Sequence, residues 1–175
     1  SRSLVRFLRN KDPYTYTLDK AFGQVIEHCA YTLRPDQDGT WITDNMIEAY
    51  NKLHQLGYAH SVEVWHGEQL VGGMYGVSLG LAFFGESMFS FADNASKAGL
   101  VLFVLKLREA GFPFMDSQVY TPHVEKLGAR NISRDRYLAL LSEALKEHTL
   151  KGDWEQYFPD FPDSKGYRNI LSKAN

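Results

Sequence analysis

The chain has 175 residues and a mass of 20.0 kDa, the size of one domain with a short appendage. Apolar residues make up 44% and aromatic residues 14%, so a packed core is expected and wholesale disorder is excluded. Lys and Arg total 19 against 21 Asp and Glu, a net charge of −2, which excludes a uniformly basic nucleic-acid coat but leaves room for a local basic patch. One cysteine, Cys29, excludes an intrachain disulfide and a multi-cysteine zinc site. The longest apolar run, Leu100 to Leu105, is far short of a membrane span. No signal-peptide pattern precedes the first elements, so a reduced, cytoplasmic protein is the expectation. The start at Ser1 rather than Met fits a piece of something longer.

The first eleven residues carry Arg2, Arg6, Arg9 and Lys11 and no acid, either a solvated segment or a phosphate-contacting stripe. Tyr14 to Thr17 alternates as a short strand does. Ala21, Val25, Ile26 and Cys29 recur at helical spacing and predict a helix over about 18–30. Pro35 to Thr40 reads as a polar loop. Thr43 and Asp44 offer capping chemistry for a second helix through Met46, Ile47, Tyr50, Leu53 and Leu56, which Gly57 closes. Ser61 to Trp65, Leu70 to Leu79 and Leu81 to Gly85 predict a three-stranded antiparallel meander. Asn94 is placed to cap a helix with Leu100, Phe103, Val104 and Leu107 on its apolar stripe, stopped by Gly111 and Pro113. Phe114 to Tyr120 reads as a strand and Pro122 to Leu127 as a short helix. Ser133 caps a last helix with Tyr137, Leu138, Leu141 and Leu145. This order predicts an α+β domain with a mixed sheet over 1–147. Residues 148–175 are expected to pack on it through Trp154, Tyr157, Phe158 and Phe161.

Most chemical motifs fail on spacing. His54, His60 and His66 stand six apart, with no HExxH or CxxC pattern to make them converge on a metal. Gly85-Glu86-Ser87-Met88-Phe89 begins like a nucleophile elbow but lacks the closing glycine. Cys29 lies on an apolar helix face and reads as core. Gly72-Gly73-Met74-Tyr75-Gly76 falls inside a strand, which suggests a bulge or a close approach to a ligand rather than a phosphate loop. What remains is a set of polar residues set against apolar ones. Glu86 follows an apolar strand. Asp116 and Gln118, two apart on a predicted strand, would share one face. They form either a structural hydrogen-bond network or a small polar site floored by Met74, Phe103 and Met115.

Several long runs, in order, carry a resemblance. They are Ala21 to Glu27, Gly39 to Thr43, Ala59 to Trp65, Leu70 to Gly76, Gly85 to Ser90 with Asn94 to Lys97, and Asp116-Ser117-Gln118. From about Ser1 to about Leu145 the chain resembles the bacterial leucyl/phenylalanyl-tRNA–protein transferases. The resemblance implies a fold like that of the GNAT N-acetyltransferases, with no cofactor. It implies transfer of leucine or phenylalanine, and less efficiently methionine, from aminoacyl-tRNA to proteins with N-terminal arginine or lysine, which enter N-degron degradation. Ser90 to Lys97 lacks the glycine-rich loop of acyl-CoA users in that superfamily, which suits an aminoacyl ester donor.

The resemblance also implies roles. Gln118 accepts a hydrogen bond from the attacking amine, and Asp116 holds and polarises Gln118. Glu86 binds an ammonium group or orders the reacting centre. Met74, Leu100, Phe103, Leu107 and Met115 line the donor side-chain pocket. Trp41 stacks on the terminal adenine, and Arg2, Arg6 and Arg9 meet the tRNA backbone. Thr121 stands where the family commonly has asparagine. The family also has a domain upstream of this stretch that supplies a second stacking tryptophan. Two other readings stay open: a non-catalytic binder of aminoacyl-tRNA or N-terminal peptides, and an acyl-CoA-dependent N-acetyltransferase. Nothing in the sequence demands more than a monomer.

Overall fold

The computed structural model describes residues 7–8, 12–32 and 41–161. Arg2, Arg6 and Arg9 and the loop from Pro35 to Thr40 lie outside them. A five-stranded sheet is built from β1 (Thr15–Leu18), β2 (Ala59–His66), β3 (Gln69–Leu79), β4 (Ala82–Ser90) and β5 (Phe114–Asp116), in spatial order 1-2-3-4-5. The first four strands are antiparallel, and β5 runs parallel to β4. That parallel pairing requires a crossover, which α3 (Ala95–Glu109) supplies. The result is a mixed α+β fold. Among the described residues, no helix is long and apolar enough to cross a membrane.

Each face of the sheet is covered. The first is packed by α1 (Phe22–Tyr31) and α2 (Asp44–Gln55), with Val25, Ile26 and Cys29 meeting Tyr75 and Phe89 of the sheet. The second is packed by α3, whose Leu100, Leu102, Phe103 and Leu107 join Val62, Val64, Met74 and Phe83. Trp154, Phe158 and Phe161 are buried in that same cluster, while Tyr157 stays exposed. Two further helices follow among the described residues, α4 (Pro122–Lys126) and α5 (Arg134–Ala144). The caps at Thr43 and Ser133 form as the sequence predicts, with their hydroxyls accepting from Met46 N and Arg136 N. Gly57 closes α2 at φ +78°.

Five expectations need correction. The first helix starts at Phe22 rather than about residue 18, because Leu18 is paired with Val62 and Asp19 turns the chain at φ +57°. The third meander strand runs on past Gly85 to Ser90, since Met88 and Phe89 still find partners on β3. Asn94 precedes α3 at φ +61° but makes no side-chain cap, so its left-handed backbone begins the helix. Val104 of α3, and Leu138 and Leu145 at α5, are exposed, so those stripes are narrower than the apolar spacing suggests. Finally, β5 stops at Asp116 instead of reaching Tyr120. Asp116 and Gln118 therefore do not share a strand face, and their contact arises from a turn.

Candidate active site

The parallel strands β4 and β5 pair only from Ala82–Phe114 to Phe84–Asp116. Beyond that point β4 continues to Ser90 while β5 ends, so the β4–β5 ladder stops part-way along β4. Gln118 stands where the ladder ends. Its Nε2 donates to the carbonyl of Gly85, the first β4 residue past the pairing, at 3.1 Å. Because Gly85 offers an acceptor, the amide must turn its nitrogen there and its oxygen away. Gln118 is exposed, and Oε1 has no protein partner among the described residues.

The backbone that holds Gln118 is unusual. It sits at φ +60°, uncommon for a residue with a side chain, inside a tight turn closed by Val119 N to Ser117 O at 2.6 Å. Asp116 stabilises this turn: its Oδ1 accepts the Gln118 backbone N–H at 2.7 Å. Its Oδ2 accepts the Tyr137 hydroxyl from α5 at 3.0 Å. Asp116 therefore grips the Gln118 backbone, not its side-chain amide. Burial, and then the Asp116 charge, raise the Tyr137 hydroxyl above the ordinary phenol value, which keeps it a donor.

Glu86 occupies the other wall. The β3–β4 register pairs Tyr75 with Ser87 and Gly76 with Gly85, so Glu86 is the extra residue of a β-bulge. A Cβ on Gly76 would fall 2.2 Å from the Phe84 carbonyl oxygen, which only glycine avoids. Glu86 is half-buried and its charge lies close enough to the Tyr50 hydroxyl of α2 to act on it. Burial, with the Glu86 charge, pushes the Tyr50 hydroxyl up to about 12. Tyr50 is steadied by an edge contact with Tyr75, ring centroids 5.2 Å apart.

The apolar residues expected to line a pocket form one cluster. Met74, Leu100, Phe103 and Leu107 are buried and Met115 packs against them. A Cβ on Gly85 would stand 2.8 Å from Met115 Cε and 3.9 Å from Met74 Cε, so these two methyl groups lie beside the strand residue that anchors Gln118. Phe103 is enclosed at 1% exposure among Phe83, Trp154 and Phe161. It and Leu107 back the methionines rather than face open space. Trp41 is 47% exposed, two residues ahead of the α2 cap Thr43. Thr121 caps α4 by accepting from Val124 N at 3.2 Å, work that asparagine does equally well.

Tyr50 and Tyr137 are the two site residues that sequence reasoning missed. Both sat in apolar helix stripes, where a tyrosine in place of phenylalanine signals a hydroxyl that needs a partner. Among the described residues no cluster of three or more His, Cys, Asp or Glu could hold a metal ion.

A family model described as leucyl/phenylalanyl-tRNA protein transferase matches residues 1–142. The chain belongs to that family. A protein of Syntrophus aciditrophicus named leucyl/phenylalanyl-tRNA–protein transferase is 52% identical over 157 residues, 90% of this chain and 65% of the relative. One of Anaeromyxobacter sp. (strain K) with the same name is 53% identical over 154 residues, 88% of this chain and 66% of the relative. One of Thermodesulfovibrio yellowstonii is 49% identical over 158 residues, 90% and 64% respectively. The chain thus spans just under two thirds of the length of these relatives.

Proposed function

We propose that this chain carries the acyl-transfer site of an enzyme that moves leucine or phenylalanine, and methionine less well, from aminoacyl-tRNA to the N-terminal arginine or lysine of proteins. The observation that carries the reading is Gln118: an exposed side-chain amide fixed by both its nitrogen and its backbone, whose Oε1 has no partner among the described residues, at the end of the β4–β5 ladder. Membership of the transferase family supports the reaction class. The sheet supports a GNAT-like fold, since an antiparallel meander, a crossover helix and a parallel fifth strand follow one another in the expected order. The cytosol, which holds the aminoacyl-tRNA pool, is where such a reaction would run.

The step is an aminolysis. The acceptor's α-amine, with an ordinary pKa of about 8, arrives neutral at little cost. Its lone pair attacks the ester carbonyl, a C–N bond forms, and the C–O bond to the terminal ribose breaks. The proton the amine gives up leaves with the ribose oxygen. An amide oxygen is too weak a base to take that proton. Gln118 Oε1 instead accepts a hydrogen bond from the amine N–H and turns the lone pair toward the carbonyl. Because the ester is already activated, orientation is most of what catalysis requires. Glu86, beside Tyr50, offers its carboxylate to an ammonium group of donor or acceptor. The methionine methyls beside Gly85 give an unbranched or γ-branched donor side chain a deformable apolar surface. Trp41 is exposed and so open to stack on the terminal adenine, worth about 1–3 kcal/mol. Arg2, Arg6 and Arg9 would meet the acceptor-stem phosphates.

The test is single-turnover transfer of labelled phenylalanine from tRNA to an Arg-starting peptide by the 175-residue chain, with acetyl-CoA as a competing donor. Transfer from tRNA, lost when the peptide N-terminus is blocked, is expected. Acetyl transfer instead would replace the donor class. Binding of aminoacyl-tRNA without any transfer would make the chain a binder.

A further inference from the structure

We propose that Tyr137 is a positioning residue of the transfer site: its hydroxyl fixes the Asp116 carboxylate and, through it, the Gln118 turn that presents Oε1 to the attacking amine. The inference rests on the functional reading above for its kinetic consequence, but its structural half stands on geometry alone.

Asp116 is the last residue of β5, so its side chain sits where the sheet no longer constrains the backbone. A carboxylate with one partner swings about its Cβ–Cγ bond. Here the two oxygens are claimed from opposite sides, Oδ1 by Gln118 N at 2.7 Å and Oδ2 by the Tyr137 hydroxyl at 3.0 Å. Gln118 depends on this grip, because a left-handed backbone is unfavourable for a residue with a Cβ and persists only when its surroundings hold it. If Asp116 turns away, the turn relaxes and the Nε2 contact with Gly85 goes with it.

Tyr137 is well placed to hold Asp116 still. Its ring meets the edge of Phe114 at 5.8 Å and 67°, so it rests on the same short strand that carries Asp116 two residues later. Its helix is anchored at both ends: Ser133 caps the start, and the Ala144 carbonyl accepts from Leu81 N at 3.0 Å at the other. Yet α5 buries only Ala144 completely, and Leu138 is exposed. Phenylalanine would supply the ring contact. What tyrosine adds is the hydroxyl, and the hydroxyl is spent on Asp116.

The test uses Tyr137→Phe in the 175-residue chain, which keeps the ring contact. Hydrogen exchange read by NMR should show the Gln118 backbone amide about tenfold faster than in the parent, as expected for a charge-assisted restraint removed one bond away. The amides of β2 and β3 should be unchanged. The single-turnover rate at saturating substrates should fall about tenfold, with the KM for aminoacyl-tRNA within about twofold of the parent. In a Gln118→Ala background the same change should cost nothing further, because the residue it positions is gone. Unchanged Gln118 exchange overturns the proposal, and so does a rate loss of equal size in both backgrounds. If the parent chain transfers nothing, the functional reading fails, and the exchange result alone decides whether Tyr137 holds the turn.

Discussion

Asp19 and Asp116 both accept backbone N–H groups at a left-handed turn of the chain, at Asp19 itself and at Gln118, yet one belongs to the frame and the other to the site. Asp19 accepts from Ser61 N at 2.9 Å, His60 Nδ1 at 2.8 Å and Trp154 N at 2.9 Å, with its side chain 1% exposed. Around it, Glu63 is buried and takes the hydroxyls of Thr17 and Ser61 and the backbone of Ala21. His60 stacks on Trp154 at 3.9 Å, which fastens the segment after α5 to the sheet. That network is closed to solvent, and its one unpaired atom among the described residues, His60 Nε2, is buried where no ligand reaches it from outside. The Asp116 group is poorer in bonds and open: it ends in an exposed amide whose oxygen has no partner among the described residues. A polar network becomes a site when one of its members keeps a valence where solvent can reach it, not when it is the most buried or the most charged.

That contrast can be broken by substitution. The largest effect is expected at Asp19→Ala, which leaves His60, Ser61 N and Trp154 N without their acceptor. Leaving buried donors unsatisfied costs about 1–3 kcal/mol each, so the chemical-denaturation midpoint should collapse. A loss under 1 kcal/mol would mean that water replaces Asp19. Next comes Glu86→Gln, which keeps the shape and the Tyr50 contact but removes the charge. The KM for the acceptor peptide or the aminoacyl-tRNA should rise about tenfold, as for one lost charge-assisted contact. Equal KM values for both would assign Glu86 to the bulge alone. Gln118→Gly should then separate stability from activity. It relieves a left-handed residue and should raise stability by about 1 kcal/mol while transfer is lost. An unchanged or lower melting temperature would show that the turn stores no strain.

The smallest effect concerns pH. Tyr50 is raised to about 12 in the folded chain, above its ordinary 10.0. A raised pKa means the folded state holds its proton longer. The associated stability is complete below pH 10 and is lost as pH rises through 12. Tyr50→Phe should therefore show a shallower decline in stability between pH 10 and 12 than the parent. Parallel declines would show that neither burial nor the Glu86 charge raises the Tyr50 hydroxyl.

Much of this architecture was legible beforehand, and the gaps have physical causes. The meander, the caps at Thr43 and Ser133 and the α3 core face follow from periodicity and turn residues, which act locally. Of the two readings of the glycine-rich run at 72–76, the bulge is found at Gly76, and Gly72 and Gly73 admit atoms of the protein's own Ala95, Val62 and Phe89 closely. The Asp19 and Glu63 network was invisible, because a single buried carboxylate reads like any surface acid until its partners, 42 residues apart for Asp19 and Ser61, come together. The turn at Gln118 was read as strand because apolar and aromatic residues stand at both ends of Phe114 to Tyr120. A side-chain acceptor at Asp116 outcompeted the ladder: the Gln118 N–H goes to Asp116 Oδ1, although β4 runs on to Ser90.

The most direct test of the central claim is the single-turnover transfer rate of Gln118→Ala at saturating phenylalanyl-tRNA and Arg-starting peptide. If Gln118 orients the amine, the rate should fall about 100-fold with aminoacyl-tRNA affinity unchanged, the scale expected for lost positioning. A rate within about threefold of the parent would show that the open amide oxygen has no part in the transfer.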